Sequence, residues 1–187
     1  MNKQALRELY KAKRQALSDE ERMTLSQEIY HKVLPLIAPN KLVSIFLPIE
    51  KHKEINTWQL IDTLKPSQIV VSRSNFENHS MEHFFYENRK QIAENSWGIP
   101  EPTHGKQVDV SEIDIVIVPL LIGDLKGNRV GYGKGFYDRF LASCNADVLK
   151  IGINFFEPIE KIEGALETDV PLNYYISPNE VYSFELL

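Results

Sequence analysis

The sequence holds a single cysteine, Cys144, among its 187 residues. One thiol excludes an internal disulfide and any zinc cluster built on several thiolates, and it fits a reducing compartment. Long apolar runs are missing as well, since none comes near the roughly 20 residues that a membrane span needs. The opening stretch MNKQALRELYKAKRQAL lacks the apolar segment of a secretory leader. Basic charge is in deficit, with 21 Lys and Arg against 26 Asp and Glu and a net charge of -5. That balance argues against a chain that coats a nucleic-acid backbone. Repeats, low-complexity tracts and linkers are also absent. These absences predict a cytoplasmic protein with no nucleic-acid partner and no membrane partner, and a monomer is the expectation for its assembly. What remains is ordinary globular material, 43% hydrophobic and 25% charged. Its length suits one domain over residues 1–187.

The apolar pattern predicts a layered α/β fold. Leu6, Leu9, Tyr10 and Leu17 recur at helical spacing across residues 3–16. Ser18 and Glu21 then form a capping box for a second helix carrying Leu25, Ile29 and Val33, which must stop before Pro35. Asn56 or Thr57 can cap a third helix running to Leu64. Strands are expected at 42–47, 68–72, 83–86, 114–119, 149–154 and 174–177. The run DIVIVP is continuously β-branched, as in a strand buried on both faces. Strands separated by helices imply a single-domain, three-layer, Rossmann-like fold, with a mostly parallel central sheet and helices on both faces. Ligands of such sheets sit beyond the carboxyl ends of the strands.

Glycine is concentrated at one place, NRVGYGKGFYDRF, residues 128–140. This is not a Walker A loop, because Gly133-Lys134 is followed by Gly135 and position 128 is Asn. Nor is it a dinucleotide fingerprint, which would need Gly at 136 or 138, where Phe136 and Asp138 stand. Yet Gly131, Gly133 and Gly135 can present successive N–H groups to an anion, with no Cβ in the way. Arg129, Lys134 and the start of a helix near Phe136 add positive potential. A phosphate is the natural guest, and Asp138 just beyond it could hold a magnesium ion. The plain alternatives are a flexible surface turn and a carboxylate that stabilises a helix dipole. A second cationic patch comes from Lys3, Arg7, Lys11 and Arg14, which fall within roughly an 80° arc of the first helix. Lys3 and Arg7 could clamp a polyphosphate together, whereas Lys11 and Arg14 read as a solvated face.

Several stretches taken together resemble the 5-formyltetrahydrofolate cyclo-ligases, also called methenyltetrahydrofolate synthetases. They are KQALR, SIFLPIEKHKEINT, NSWGIPEP and DIVIVPLLIGDLKGNRVGYGKGFYDRF, in the family's order. The resemblance implies an ATP- and magnesium-dependent enzyme that cyclises 5-formyltetrahydrofolate to 5,10-methenyltetrahydrofolate, releasing ADP and phosphate. It places Lys3, Arg7 and the run Arg129, Val130, Gly131, Tyr132, Gly133, Lys134, Gly135, Phe136 and Tyr137 on ATP. It assigns Leu47, Glu54, Arg73, Trp97 and Tyr137 to the folate, with Phe85 as a further aromatic that could stack. Asp138 and Asp169 become the magnesium ligands, and Arg129, Lys134 and Tyr137 the residues acting on the transferred phosphoryl group. The chain departs from the family in two places. Thr168, Asp169 and Asn173 stand where the family often has His-Asp and a second Asp, and Glu157 replaces a common Gln. A folate-binding protein without turnover, or a nucleotide- or RNA-binding module, would be the alternatives.

Overall fold

The structure is a computed structural model and describes residues 1–164 and 169–184. Helix α1, Lys3–Ala16, starts at Asn2, whose side chain accepts from the Ala5 amide at 2.9 Å. The Ser18–Glu21 capping box opens α2, Asp19–Val33, and Pro35 turns its end into a short 3-10 segment. Helix α3 is Trp58–Thr63 and α4 is Phe136–Ser143. Thr57 stands at the α3 N-cap position without capping through its side chain, while Asn56 Oδ1 accepts from the Trp58 amide at 3.1 Å.

Seven strands form the central sheet: β1 Val43–Ser44, β2 Ile69–Asn75, β3 Ser80–Phe85, β4 Ile115–Pro119, β5 Leu149–Ile153, β6 Tyr174–Ile176 and β7 Val181–Ser183. Their order is β7-β6-β5-β4-β1-β2-β3. The five central strands are parallel, and the antiparallel β3 and β7 close the edges. The chain works outward from β1 in one direction and from β4 in the other, so the switch point lies between these two neighbours. Alternation along the buried strands explains the layers. Ile115 and Ile117 face Ile29, Val33, Leu60 and Ile61 of α2 and α3, whereas Val116 and Val118 share the opposite cluster with Phe140 and Leu141 of α4. Helices therefore cover both faces of a mostly parallel sheet, as the residue pattern predicts.

The apolar run at 42–47 pairs as a strand only over Val43–Ser44. Beyond it the Phe46 carbonyl accepts from the Thr57 hydroxyl at 2.6 Å, and Pro48 has no N–H to offer a ladder. Helix α1 lies elsewhere, with Leu6 and Tyr10 packed on Leu121, Ile122 and Val130. The last three belong to, or adjoin, a small antiparallel pair of Ile122–Gly123 with Arg129–Val130. Buried Asp124 fixes the turn between them, accepting from the amides of Lys126 at 2.9 Å and Asn128 at 3.0 Å. Among the described residues no helix is long and apolar enough to cross a membrane.

Candidate active site

A cavity of about 350 Å³ opens at the switch point, beyond the carboxyl ends of β1, β2 and β4. Phe46 and Leu47 follow β1, Ser72 and Ser74 lie in the carboxyl half of β2, and Pro119 ends β4. The opposite wall is the glycine stretch. Gly133 and Gly135 sit at φ of 90° and 71°, a region that side chains with a Cβ rarely adopt. A Cβ on Gly131 would meet nothing within 4 Å, so bare backbone borders open space there. Gly135 is the N-cap residue of α4 and supplies no side-chain cap, which leaves the first amides of that helix for another acceptor.

Cations gather around this wall. Arg7 Nε donates to the Gly131 carbonyl at 3.0 Å, and Lys3 pairs with Asp169. Arg129 is nearly buried and pairs with Asp138 at 2.5 Å, while its other terminal nitrogen donates to the Val170 carbonyl. Burial pulls the Arg129 guanidinium down from its ordinary value, and the charges of Asp138 and Asp169 push it back up. Lys134 is exposed at the rim. Lys3, Arg7, Arg129 and Lys134 thus converge from α1 and the glycine stretch, which are more than a hundred residues apart in sequence.

The cavity also carries a buried carboxylate. Glu54 is 4% exposed, with Oε2 accepting from the Ile49 amide at 2.9 Å and Oε1 from the Tyr132 hydroxyl at 3.0 Å. Burial pushes its carboxyl up, against the Ile49 amide, Arg14, Tyr132 and Arg22, which favour the charged form. Burial and the Glu54 charge likewise push the Tyr137 phenol up, so it stays protonated and can donate. The cavity therefore combines a cluster of cations with a buried carboxylate that accepts hydrogen bonds.

Most residues named from the sequence meet in this one space. Lys3, Arg7, Leu47, Glu54, Arg129, Gly131, Tyr132, Gly133, Lys134, Gly135, Phe136, Tyr137, Asp138 and Asp169 all line it. Others do not. Val130 turns its side chain into the core and is 1% exposed. Arg73 pairs with Glu82 at 2.8 Å on the β2–β3 hairpin, and Phe85 packs in the α4-side cluster. Trp97 points outward at 67% exposure, although Ile99 and Pro100 of the same segment do line the cavity. Asn173 accepts from the Lys150 amide at 2.9 Å, and Glu157 accepts from Asn179 and Tyr182. Thr168 lies outside the described residues. Phe76 and Met81 line the cavity and carry no motif in the sequence, where only the exposed aromatic in SNFENHS hints at Phe76; His52 also lines it, from within SIFLPIEKHKEINT, where nothing singles it out. The solvated reading of Arg14 is corrected, because it is buried at 4% exposure by partners from distant segments.

Among the described residues no three His, Cys, Asp or Glu side chains stand close enough to cage a metal. Asp138 and Asp169 do border the same cavity, both acting on Arg129. Two carboxylates suit magnesium, which commonly takes one or two from the protein and the rest from phosphate oxygens and water.

Fold and cavity together define a doubly wound α/β protein with a cationic, glycine-lined cavity at its switch point. The 5-formyltetrahydrofolate cyclo-ligase family model matches residues 1–174. The 5-formyltetrahydrofolate cyclo-ligase of Mus musculus is 32% identical over 153 residues, covering 76% of this chain and 74% of the mouse protein. That of Mycoplasma genitalium is 28% identical over 158 residues, covering 83% and 86%. The solved 5,10-methenyltetrahydrofolate synthetase of Aquifex aeolicus superposes with a TM-score of 0.83 at 27% identity, covering 98% of this chain and 93% of the other. The chain belongs to the 5-formyltetrahydrofolate cyclo-ligase family, enzymes of the ligase class in folate one-carbon metabolism.

Proposed function

We propose that this protein closes 5-formyltetrahydrofolate to 5,10-methenyltetrahydrofolate, using ATP as phosphoryl donor and releasing ADP and phosphate. The observation that carries the reading is one cavity joining the glycine wall and its four cations to buried Glu54. The formyl group on N5 resembles an amide, and its oxygen is a poor leaving group. Moving the γ-phosphoryl group of ATP onto that oxygen lets it depart as phosphate when N10 attacks the formyl carbon and loses its proton. Such transfers ask mainly for positioning and charge neutralisation.

The chain's own residues supply both. Backbone amides between residues 129 and 137, with Arg129 and Lys134, neutralise the transferred group. Lys3 and Arg7 hold the rest of the polyphosphate from α1. The protonated Tyr137 orients the formyl oxygen, and Glu54 accepts from the amino-amide edge of the pterin. Leu47 and Phe76 give the ring an apolar bed, and Arg73 and Trp97, outside the cavity, would reach the folate only through its extended tail. Asp138 and Asp169 would hold a magnesium ion, which supplies further neutralisation of phosphate charge when bound. One unit over 1–187, acting as a cytoplasmic monomer, completes this reading.

The test is to incubate the purified protein with 5-formyltetrahydrofolate, ATP and magnesium and follow methenyl absorbance. Turnover is expected, and Asp138→Asn, which keeps an acceptor for Arg129, should cut it by about a hundredfold. Binding of the folate without turnover at saturating nucleotide would overturn the reading in favour of a sequestering protein.

A further inference from the structure

Arg14 continues the buried stripe of α1, after Leu6 and Tyr10. Arginine is rarely buried unless its guanidinium is paired. Here one terminal nitrogen donates to the Leu120 carbonyl at 2.5 Å and the other to the Tyr132 hydroxyl at 2.9 Å. That hydroxyl, having accepted from Arg14, donates onward to Glu54 Oε1. The other Glu54 oxygen is held by the Ile49 amide, and its main-chain carbonyl by Arg22 Nε at 2.6 Å. A cation, a hydroxyl and a carboxylate in series polarise one another, so the chain is stiffer than two separate contacts.

Tyr132 is the residue between Gly131 and Gly133, and its ring is fixed by His52 at 5.2 Å and by the Lys11 ammonium at 5.6 Å. The wall that faces phosphate is thereby tied through one phenol to the carboxylate that faces the pterin. We propose that Arg14 and Tyr132 are positioning residues that set the orientation of Glu54 and couple it to the glycine stretch, so that nucleotide and reduced folate bind cooperatively. The inference rests on the functional reading above. A triphosphate that fixes the glycine stretch also fixes Tyr132 and hence Glu54. By linkage, folate seated on Glu54 must favour the same arrangement of the stretch by the same factor.

Tyr132→Phe removes one oxygen and keeps the ring. Binding of 5-formyltetrahydrofolate and of a non-hydrolysable ATP analogue is measured by calorimetry, each alone and each with the other at saturation. In the unaltered protein each ligand should tighten the other by at least about fivefold. In Tyr132→Phe the folate alone should weaken by about tenfold, the analogue alone should move less than about twofold, and the mutual tightening should vanish. A parallel loss for both ligands would mean that Tyr132 only shapes the stretch, and unchanged coupling would mean that it transmits nothing; either result overturns the inference. Arg14→Lys, which keeps a cationic donor for Tyr132, should preserve coupling that Arg14→Met loses. Equal loss in both would remove Arg14 from the relay. If the unaltered protein binds both ligands without mutual tightening, this inference alone fails. If it binds neither, the functional reading fails and takes the inference with it.

Discussion

At the scale of single residues, Lys134 and His83 separate what a side chain does for a ligand from what it does for the fold. Lys134 is exposed at the cavity rim, so removing it costs the core nothing. Lys134→Ala should raise the apparent KM for ATP by about tenfold and change that for the folate far less, on the scale of a lost charge-assisted hydrogen bond. Steady-state kinetics with each substrate varied will show it; a shift in the folate constant alone would place Lys134 at the other end of the site. His83 is buried at 4% exposure, its ring 4.2 Å from that of Phe140 and its Nδ1 2.9 Å from the Ser72 hydroxyl. Burial pulls its pKa from 6.5 down to about 4. The unfolded chain therefore takes up this proton near pH 6.5, while the folded one refuses it until about pH 4. The stability contributed by neutral His83 is complete above pH 6.5 and is lost as pH falls through that window. His83→Gln should flatten the fall of Tm on acidification. An unchanged slope would assign it to other groups.

At the scale of elements, the glycine stretch and α1 are made for each other. A Cβ on Gly133 would come within 3.1 Å of Arg7 Nε, the nitrogen that braces Gly131. Gly133→Ala must therefore strain a backbone at φ 90° and also push on the α1 cation. A stability loss of about 1 kcal/mol or more is expected by urea unfolding, together with weaker binding of the ATP analogue. Unaltered affinity would show that Arg7 is not held in place for the nucleotide. The bounds of α1 and the capping box of α2 are legible in sequence because the determining contacts lie within three or four residues. The stop of β1 after Ser44 is not, since Thr57 takes the Phe46 carbonyl from a different element.

At the scale of the whole molecule, α1 is both a lid on the core and a wall of the site. Leu6 and Tyr10 cover Leu121, Ile122 and Val130, while Lys3 and Arg7 face the cavity. Deleting residues 2–16 should lower Tm and abolish the rise in Tm that the ATP analogue gives the full chain, about 2.7 kcal/mol of stabilisation at a hundredfold excess over Kd. A shortened chain that still gained stability from the analogue would show that α1 is no part of the site.

The sequence by itself determined the layered α/β class and the glycine stretch, because apolar period, caps and bare backbone are local properties. It also supplied the family, through motifs in a fixed order. Which side chains share the cavity was decided by tertiary structure alone. Arg14 looks like one more cation on a solvated edge until Leu120 and Tyr132, over a hundred residues away, arrive to bury it. Trp97 and Phe76 are both aromatic residues in polar loops, and only the packing of the β2–β3 hairpin against the start of α4 turns Phe76 into the cavity while Trp97 stays outside. Proximity across a fold depends on how layers pack, and no short window of sequence records it.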